Sequence, residues 1–213
     1  MNILLVAGGS RKTWPQLDFS EYDIFVGVDR GGLLLLKEGQ PLDIAVGDFD
    51  SLSKEERVLV EAKAKRIHTS PAEKDDTDTQ LALEEALRCF PEAMVTVIGA
   101  TGGRLDHFLA NLWLPMEERF QTFVRQIVLK DQQNTISYYL PGDYTVIREA
   151  DKKYLAYCCL TPVESLTLKE SKYLLTQQQV SVPTSYASNE FVGDTAAFSF
   201  TSGMIAVIQS KDE

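Results

Sequence analysis

Short apolar runs alternating with longer amphipathic stretches organise the first 130 residues. NILLVA, DIFVGV, LDIAV, RIHT, MVTVIG and RQIVLK are short apolar runs that read as strands. The stretches between several of them carry helical periodicity and helix end signals. RGGLLLLKEG runs to Gly39, a suitable C-terminal stop, and SKEERVLVEAKA opens with Ser53 and Glu56 at capping-box spacing. DDTDTQLALEEALRCF carries Leu83, Ala86, Leu87 and Phe90 on one face before Pro91. RLDHFLANLWL places Leu105, Phe108, Leu109 and Leu112 at core spacing. The alternation predicts an α/β unit with a mostly parallel sheet and helices on both faces.

From about residue 131 the pattern changes to TISYYLPGDYTVI, KYLAYCCL, SLTLKE, TAAFSF and GMIAVIQ, with turn signals such as PGD between runs. Helical periodicity is nearly absent, which predicts a small antiparallel β sandwich or barrel. The expected division is residues 1–130 and 131–213.

Polar residues collect just after the strands of the first part: Gly8-Gly9, Asp29-Arg30-Gly31-Gly32, GDFDS, SPAEKDDTD and GATGGRLDH. In an open parallel sheet the carboxyl ends of the strands share one edge, where such folds bind ligands. Asp29, Asp48, Asp50, Asp75, Asp78 and Asp106 are therefore expected to converge there. If VGDFDSL is extended, Asp48 and Asp50 point together and Phe49 points away. Grouped carboxylates repel, and Mg²⁺, which takes one or two carboxylates plus substrate phosphates, relieves that repulsion.

Each piece also has a purely structural reading. Asp48 and Asp50 alone are equally a solvated loop, and Asp29 alone is equally a turn residue. Asp75, Asp76 and Asp78 stand where a helix begins and acids are favoured, with Thr77 and Gln80 at capping-box spacing. GATGGRLDH points more strongly to chemistry. Gly99, Gly102 and Gly103 leave a strand and open a helix, as close approach to phosphate requires. Arg104 is a bidentate phosphate donor there, and Arg104, His107 and Asn111 share one helical stripe. A lone His107 is as readily a surface or capping residue.

Composition narrows the classes. The net charge of −10 argues against a nucleic-acid partner. Apolar content of 44% with no membrane-length run, and an N-terminus unlike a signal peptide, predict a cytoplasmic protein with no membrane partner. Three cysteines without CxxC spacing and two histidines suggest neither a disulfide framework nor a zinc site. P-loop, Rossmann, protein-kinase and nucleophile-elbow motifs are absent. The residues alone leave three other readings: a DxD-type glycosyl or nucleotidyl transferase, an aspartate-nucleophile phosphohydrolase, and a non-enzymatic nucleotide sensor. The phosphohydrolase fits worst, because its paired acids belong after the first strand.

The ordered set VDRGG, VGDFDS, EKDDTDTQLAL and GATGGRLDHFLANL, followed by SNEF and SGMIAVI in a β-rich tail, resembles the thiamine pyrophosphokinase family. The resemblance implies transfer of the diphosphate of ATP to the hydroxyl of thiamine, with AMP released and Mg²⁺ required. It also implies a homodimer with shared active sites, thiamine lying between one subunit's N-terminal domain and its partner's C-terminal domain. A nucleotide-binding α/β domain and a thiamine-binding β sandwich are the implied parts. By position, Asp48 and Asp50 hold Mg²⁺-ATP with Ser51 beside them, and Asp75, Thr77 and Asp78 match D-x-T-D, with Asp78 nearest the reacting centre. Gln80 is a further contact to nucleotide or thiamine. Thr101, Gly102, Gly103, Arg104 and His107 form the phosphate loop, Arg104 binding phosphate, and Asp106 joins the metal or substrate site. Asp29 and Gly31 lie near the nucleotide, with Arg30 where many members have glycine. Asp131 and Asn134 lie near adenine. Ser188 and Asn189 contact thiamine, with Tyr186 and Phe191 among the aromatic candidates for a ring wall. The implied metal ligands are Asp48, Asp50, Asp75, Asp78 and Asp106, and the implied catalytic residues are Asp78, Asp106 and Arg104.

Overall fold

Parallel strands build the first half of the chain: β1 (Asn2–Val6), β2 (Ile24–Val28), β3 (Leu42–Gly47), β4 (Ala64–Thr69), β5 (Met94–Ile98) and β6 (Ile127–Lys130). Their order is β6-β5-β1-β2-β3-β4, with every neighbouring pair parallel. This is a computed structural model describing residues 1–69 and 75–212. The chain divides into two compact units, Met1–Gln132 and Gln133–Glu213. Ser70 to Lys74, at the start of the expected SPAEKDDTD segment, lie outside the described residues.

Helices α1 (Arg30–Lys37), α2 (Lys54–Lys63), α3 (Asp78–Cys89) and α4 (Leu105–Trp113) complete the first unit, with short 3-10 segments at Leu114–Met116 and Glu118–Gln126. The expected end signals operate. Ser53 with Glu56 and Thr77 with Gln80 form reciprocal capping boxes at α2 and α3. One face of the sheet, with Leu4, Val6, Phe25 and Ala45, packs with Leu33 and Leu35 of α1 and Val60 of α2 in a single buried cluster. The alternate residues Ile3, Leu5, Val26 and Ile44 are also buried, and α3 packs against β1, β2 and β3 through Ala82, Leu83, Ala86 and Leu87. Helices thus cover both faces.

Helix α4 departs from expectation. Leu105, Leu109 and Trp113 are 76%, 39% and 50% exposed, and the buried residue of this helix is Asn111, whose Nδ2 donates to the Ala100 carbonyl at 2.8 Å. The periodicity correctly marks an amphipathic helix, but its apolar stripe is not core within this chain.

The second unit holds β7 (Asn134–Tyr139), β8 (Gly142–Ile147), β9 (Tyr154–Cys159), β10 (Val163–Lys169), β11 (Leu175–Val180), β12 (Thr184–Glu190), β13 (Thr195–Phe200) and β14 (Ile205–Ser210). They form antiparallel layers β12-β9-β14-β7 and β11-β10-β13-β8. Tyr157, Leu155, Ile205 and Val207 of one layer meet Leu166, Leu168, Phe198 and Phe200 of the other in one core. This is a sandwich rather than a closed barrel. The sequence pattern misses β11 and β12, whose LTQQQV and TSYASNE are largely polar and exposed. Both are outer strands of their layers, where polar residues are expected. No described helix is long and apolar enough to cross a membrane.

Candidate active site

The strand order reverses between β1 and β5, so loops leaving the carboxyl ends of the first unit's strands flank a topological switch point. Asp29 follows β2. Its main-chain N–H donates to the Val46 carbonyl at 2.9 Å, tying it to β3. It precedes α1 at the N-cap position, yet its side chain makes no capping bond. Oδ1 instead accepts the Phe49 N–H at 3.3 Å. The backbone at Asp29 has φ 46° and ψ −117°, and Phe49 has φ 60°. Two non-glycine residues in such conformations, joined by one hydrogen bond, mark a loop held in place by its surroundings. Phe49 is 1% exposed, so apolar burial anchors the loop.

Asp48 and Asp50 therefore do not lie on an extended strand. The chain turns through Phe49, and Asp48 Oδ1 accepts the Asp50 N–H at 3.0 Å. Asp48 is half-buried and Asp50 exposed. The two acids nevertheless act on the same neighbour. Asp29 carries a carboxyl pushed up to about 6, first by burial and then by the charge of Asp78, with smaller contributions from Asp48 and Asp50. The Phe49 N–H works the other way. Acids that follow β2 and β3 and one at the start of α3 thus act on one another, with Asp29 half-buried in their shared field.

Gly31, in the first turn of α1, allows close approach to β1, because a β-carbon there would strike the Val6 carbonyl. Ser51 is exposed, and its carbonyl accepts from Arg30 Nη1 at 3.3 Å. Asp75 is exposed, while Thr77 and Asp78 are half-buried at the start of α3. Gln80 is committed within the protein: its Oε1 accepts the Thr77 N–H at 2.7 Å and its Nε2 donates to Glu117 at 2.6 Å.

The loop after β5 is held by hydrogen bonds of its own. Thr101 is buried, and its hydroxyl donates to Asp131 at 2.6 Å, linking the ends of β5 and β6. Gly102 and Gly103 are exposed, with φ of 75° and 74°. Arg104 and Asp106 form an exposed two-contact pair, Nη2 to Oδ2 at 2.6 Å and Nε to Oδ1 at 3.1 Å. That pairing pulls the Asp106 carboxyl below its ordinary range. Asp106 Oδ1 also accepts the main-chain N–H of exposed His107. Arg104 is thus the local partner of Asp106, and the carboxylates acting on Asp29 come from other loops. Among the described residues no three His, Cys, Asp or Glu side chains form a ready metal cluster.

In the second unit Asn134 begins β7, opposite Ser210 of β14. Ser188 and Asn189 sit at an irregularity in the pairing of β12 with β9. Ser188 is exposed with φ 59°. Asn189 is 3% exposed, and its amide is consumed by the unit itself. Oδ1 accepts from Tyr173 N and Glu190 N, while Nδ2 donates to the Tyr173 carbonyl and the Ser171 hydroxyl. Its hydrogen bonds staple β12 to the loop after β10. Tyr186 and Phe191 are partly buried against the sandwich core.

Comparison with known proteins agrees with both halves. A family profile described as "Thiamin pyrophosphokinase, catalytic domain" matches residues 16–129, and "Thiamin pyrophosphokinase, vitamin B1 binding domain" matches residues 143–205. The chain is 36% identical over 214 residues to "Thiamine pyrophosphokinase" of Bacillus subtilis (strain 168), covering 99% of each. It superimposes with a TM-score of 0.98 on a thiamin pyrophosphokinase family protein from Enterococcus faecalis, 64% identical and covered in full on both sides. A thiamin pyrophosphokinase structure from Geobacillus thermodenitrificans matches at a TM-score of 0.82 with 37% identity, over 100% of this chain and 99% of that one.

Proposed function

Because the chain belongs to the thiamine pyrophosphokinase family, we propose that it transfers the diphosphate of ATP to the hydroxyl of thiamine and releases AMP. The observation that carries this reading is the match of the two halves to the family's catalytic and vitamin B1 binding domains, beside an Asp29 that lies half-buried in the field of Asp78, Asp48 and Asp50. A field of that sign needs a cation. The donor set is entirely hard carboxylate oxygen, which suits Mg²⁺, and an ion that keeps waters and phosphate oxygens as ligands does not require a closed protein cage. Asp48, Asp50 and Asp78 would hold it, with Asp75 beside them. Asp106, paired with Arg104 on the phosphate loop, would join the metal or substrate site from there. Bound Mg²⁺ supplies charge neutralisation for the triphosphate oxygens.

The chain's own residues then act by placement, which dominates phosphoryl transfer. Asp78 orients the thiamine hydroxyl toward the β-phosphorus and accepts its proton late in transfer. Arg104 exchanges Asp106 for a phosphate oxygen, and the amides of Gly102 and Gly103 approach the same group. Thr101 and Asp131 fix the base of that loop, next to the adenine. Exposed Ser188 contacts thiamine, and the acidic surroundings favour its thiazolium cation.

A homodimer belongs to the same proposal. Leu105, Leu109 and Trp113 form an i, i+4, i+8 apolar stripe left 76%, 39% and 50% exposed, a surface suited to a second copy of the chain. So does a cytoplasmic location. The test is incubation with MgATP and thiamine and separation of the products. Equimolar AMP and thiamine diphosphate are expected. ADP or inorganic phosphate in their place rejects the reading.

A further inference from the structure

One cation divides the run Asp75-Asp76-Thr77-Asp78. Arg119, in the 3-10 segment after α4, donates from Nη1 to Asp76 Oδ2 at 2.9 Å and from Nη2 to Asp76 Oδ1 at 2.7 Å. Nε donates to Glu117 Oε2 at 2.9 Å, and Nη1 also donates to Glu84 at 3.2 Å. The guanidinium lies over the Phe120 ring, 5.0 Å from its centre. Every guanidinium nitrogen thus meets a carboxylate. Such a partly buried fork is a stronger and more directional contact than an ordinary surface pair.

Two routes lead from Arg119 to the start of α3. Asp76 directly precedes the N-cap residue Thr77. The second route passes through Glu117, whose Oε1 accepts from Gln80 Nε2 at 2.6 Å, while Gln80 Oε1 accepts the Thr77 N–H at 2.7 Å. Thr77 is braced from both sides. The next residue is Asp78, the acid with the largest charge effect on Asp29. Asp76 is turned onto the cation.

We infer that Arg119 is a positioning residue for the transfer reaction: it withdraws Asp76 from the acidic group and braces Thr77, so that Asp78 is held facing Asp29. The inference rests on the function proposed above. No motif signals it, since Arg119 lies in EERF, 43 positions from Asp76.

The test compares Arg119→Gln, Arg119→Lys, Asp76→Asn and the double variant Arg119→Gln/Asp76→Asn with the wild-type protein. Arg119→Gln is expected to lower kcat about 10- to 100-fold, with the KM for thiamine changed less than about threefold, as misplacement of a reacting group would do. Arg119→Lys keeps the charge without the fork and should fall between. Arg119→Gln should cost less in the Asp76→Asn background, where no carboxylate is released into the site. Amide hydrogen exchange at Thr77 and Gln80 should quicken about tenfold or more in Arg119→Gln while β1 stays as in the wild type. Unchanged exchange at Thr77 overturns the brace whatever the activity. Faster exchange with unchanged kcat makes Arg119 merely structural and overturns the positioning role. A wild-type protein without thiamine turnover removes the functional reading instead, and the exchange comparison still decides whether the brace exists.

Discussion

Asp29 Oδ1 fills the space that a β-carbon on Gly47 would occupy. The same oxygen accepts the Phe49 N–H, and Gly47 itself has φ 143°. The glycine that ends β3 is thus the seat of the acid that follows β2. Gly47→Ala must move Asp29 or the β3 loop. It is expected to cost about 1–3 kcal/mol of stability, the usual range for inserting a carbon into filled space, and to reduce turnover by more than the fold suffers. Denaturant unfolding together with kcat measured on the folded fraction checks this.

The raised carboxyl of Asp29 has a stability signature of definite sign. Its ordinary value is 3.8 and its folded value about 6, so between those values the native state holds a proton that the unfolded chain has released. This group therefore destabilises the fold progressively as pH rises from about 4 to 6, and fully above that. Asp29→Asn keeps an oxygen for Phe49 and removes the charge. In chelator, its melting temperature should exceed the wild type's at neutral pH, and the difference should vanish near pH 3 to 4. A difference independent of pH would contradict the electrostatic cause.

Neighbouring residues of β12 should separate binding from folding. Asn189→Ala strands the buried partners of its amide and is expected to cost about 1–3 kcal/mol per unsatisfied group. Ser188→Ala removes an exposed hydroxyl, and should raise the KM for thiamine while leaving the unfolding midpoint in place. Equal effects of the two on stability would remove the distinction.

The apolar stripe of α4 makes its own claim. Leu109→Glu combined with Trp113→Glu should convert a dimer to a monomer in sedimentation while the monomer keeps its circular dichroism. A wild-type protein that is already monomeric at working concentration contradicts the second-copy assignment.

Strand and helix positions of the first unit are legible because the apolar runs keep their period and α2 and α3 carry capping boxes. Capping by Thr77 and Gln80 is readable in the same way, and the reciprocal bonds form as the spacing predicts. Convergence of Asp48, Asp50 and Asp78 on Asp29 follows from parallel topology, which places strand ends on one edge. Their local geometry does not, because a left-handed Phe49 is set by burial that no triplet encodes. The stripe of α4 is indistinguishable from a core face by spacing alone, since periodicity reports amphipathicity and not the covering partner. Arg119 and the bonds that Asn189 makes within its own unit are invisible for a related reason: their partners come from distant stretches or from a loop closure.

The most direct measurement replaces Mg²⁺ by paramagnetic Mn²⁺, another octahedral oxygen-seeking ion, in an NMR sample of the protein with ATP. The proposal predicts that amide signals of Gly47 to Asp50 and of Thr77 and Asp78 broaden strongly, and that excess Mg²⁺ restores them. Broadening that spares both of these segments while appearing elsewhere on the chain would contradict a single acidic pocket for the metal–nucleotide complex.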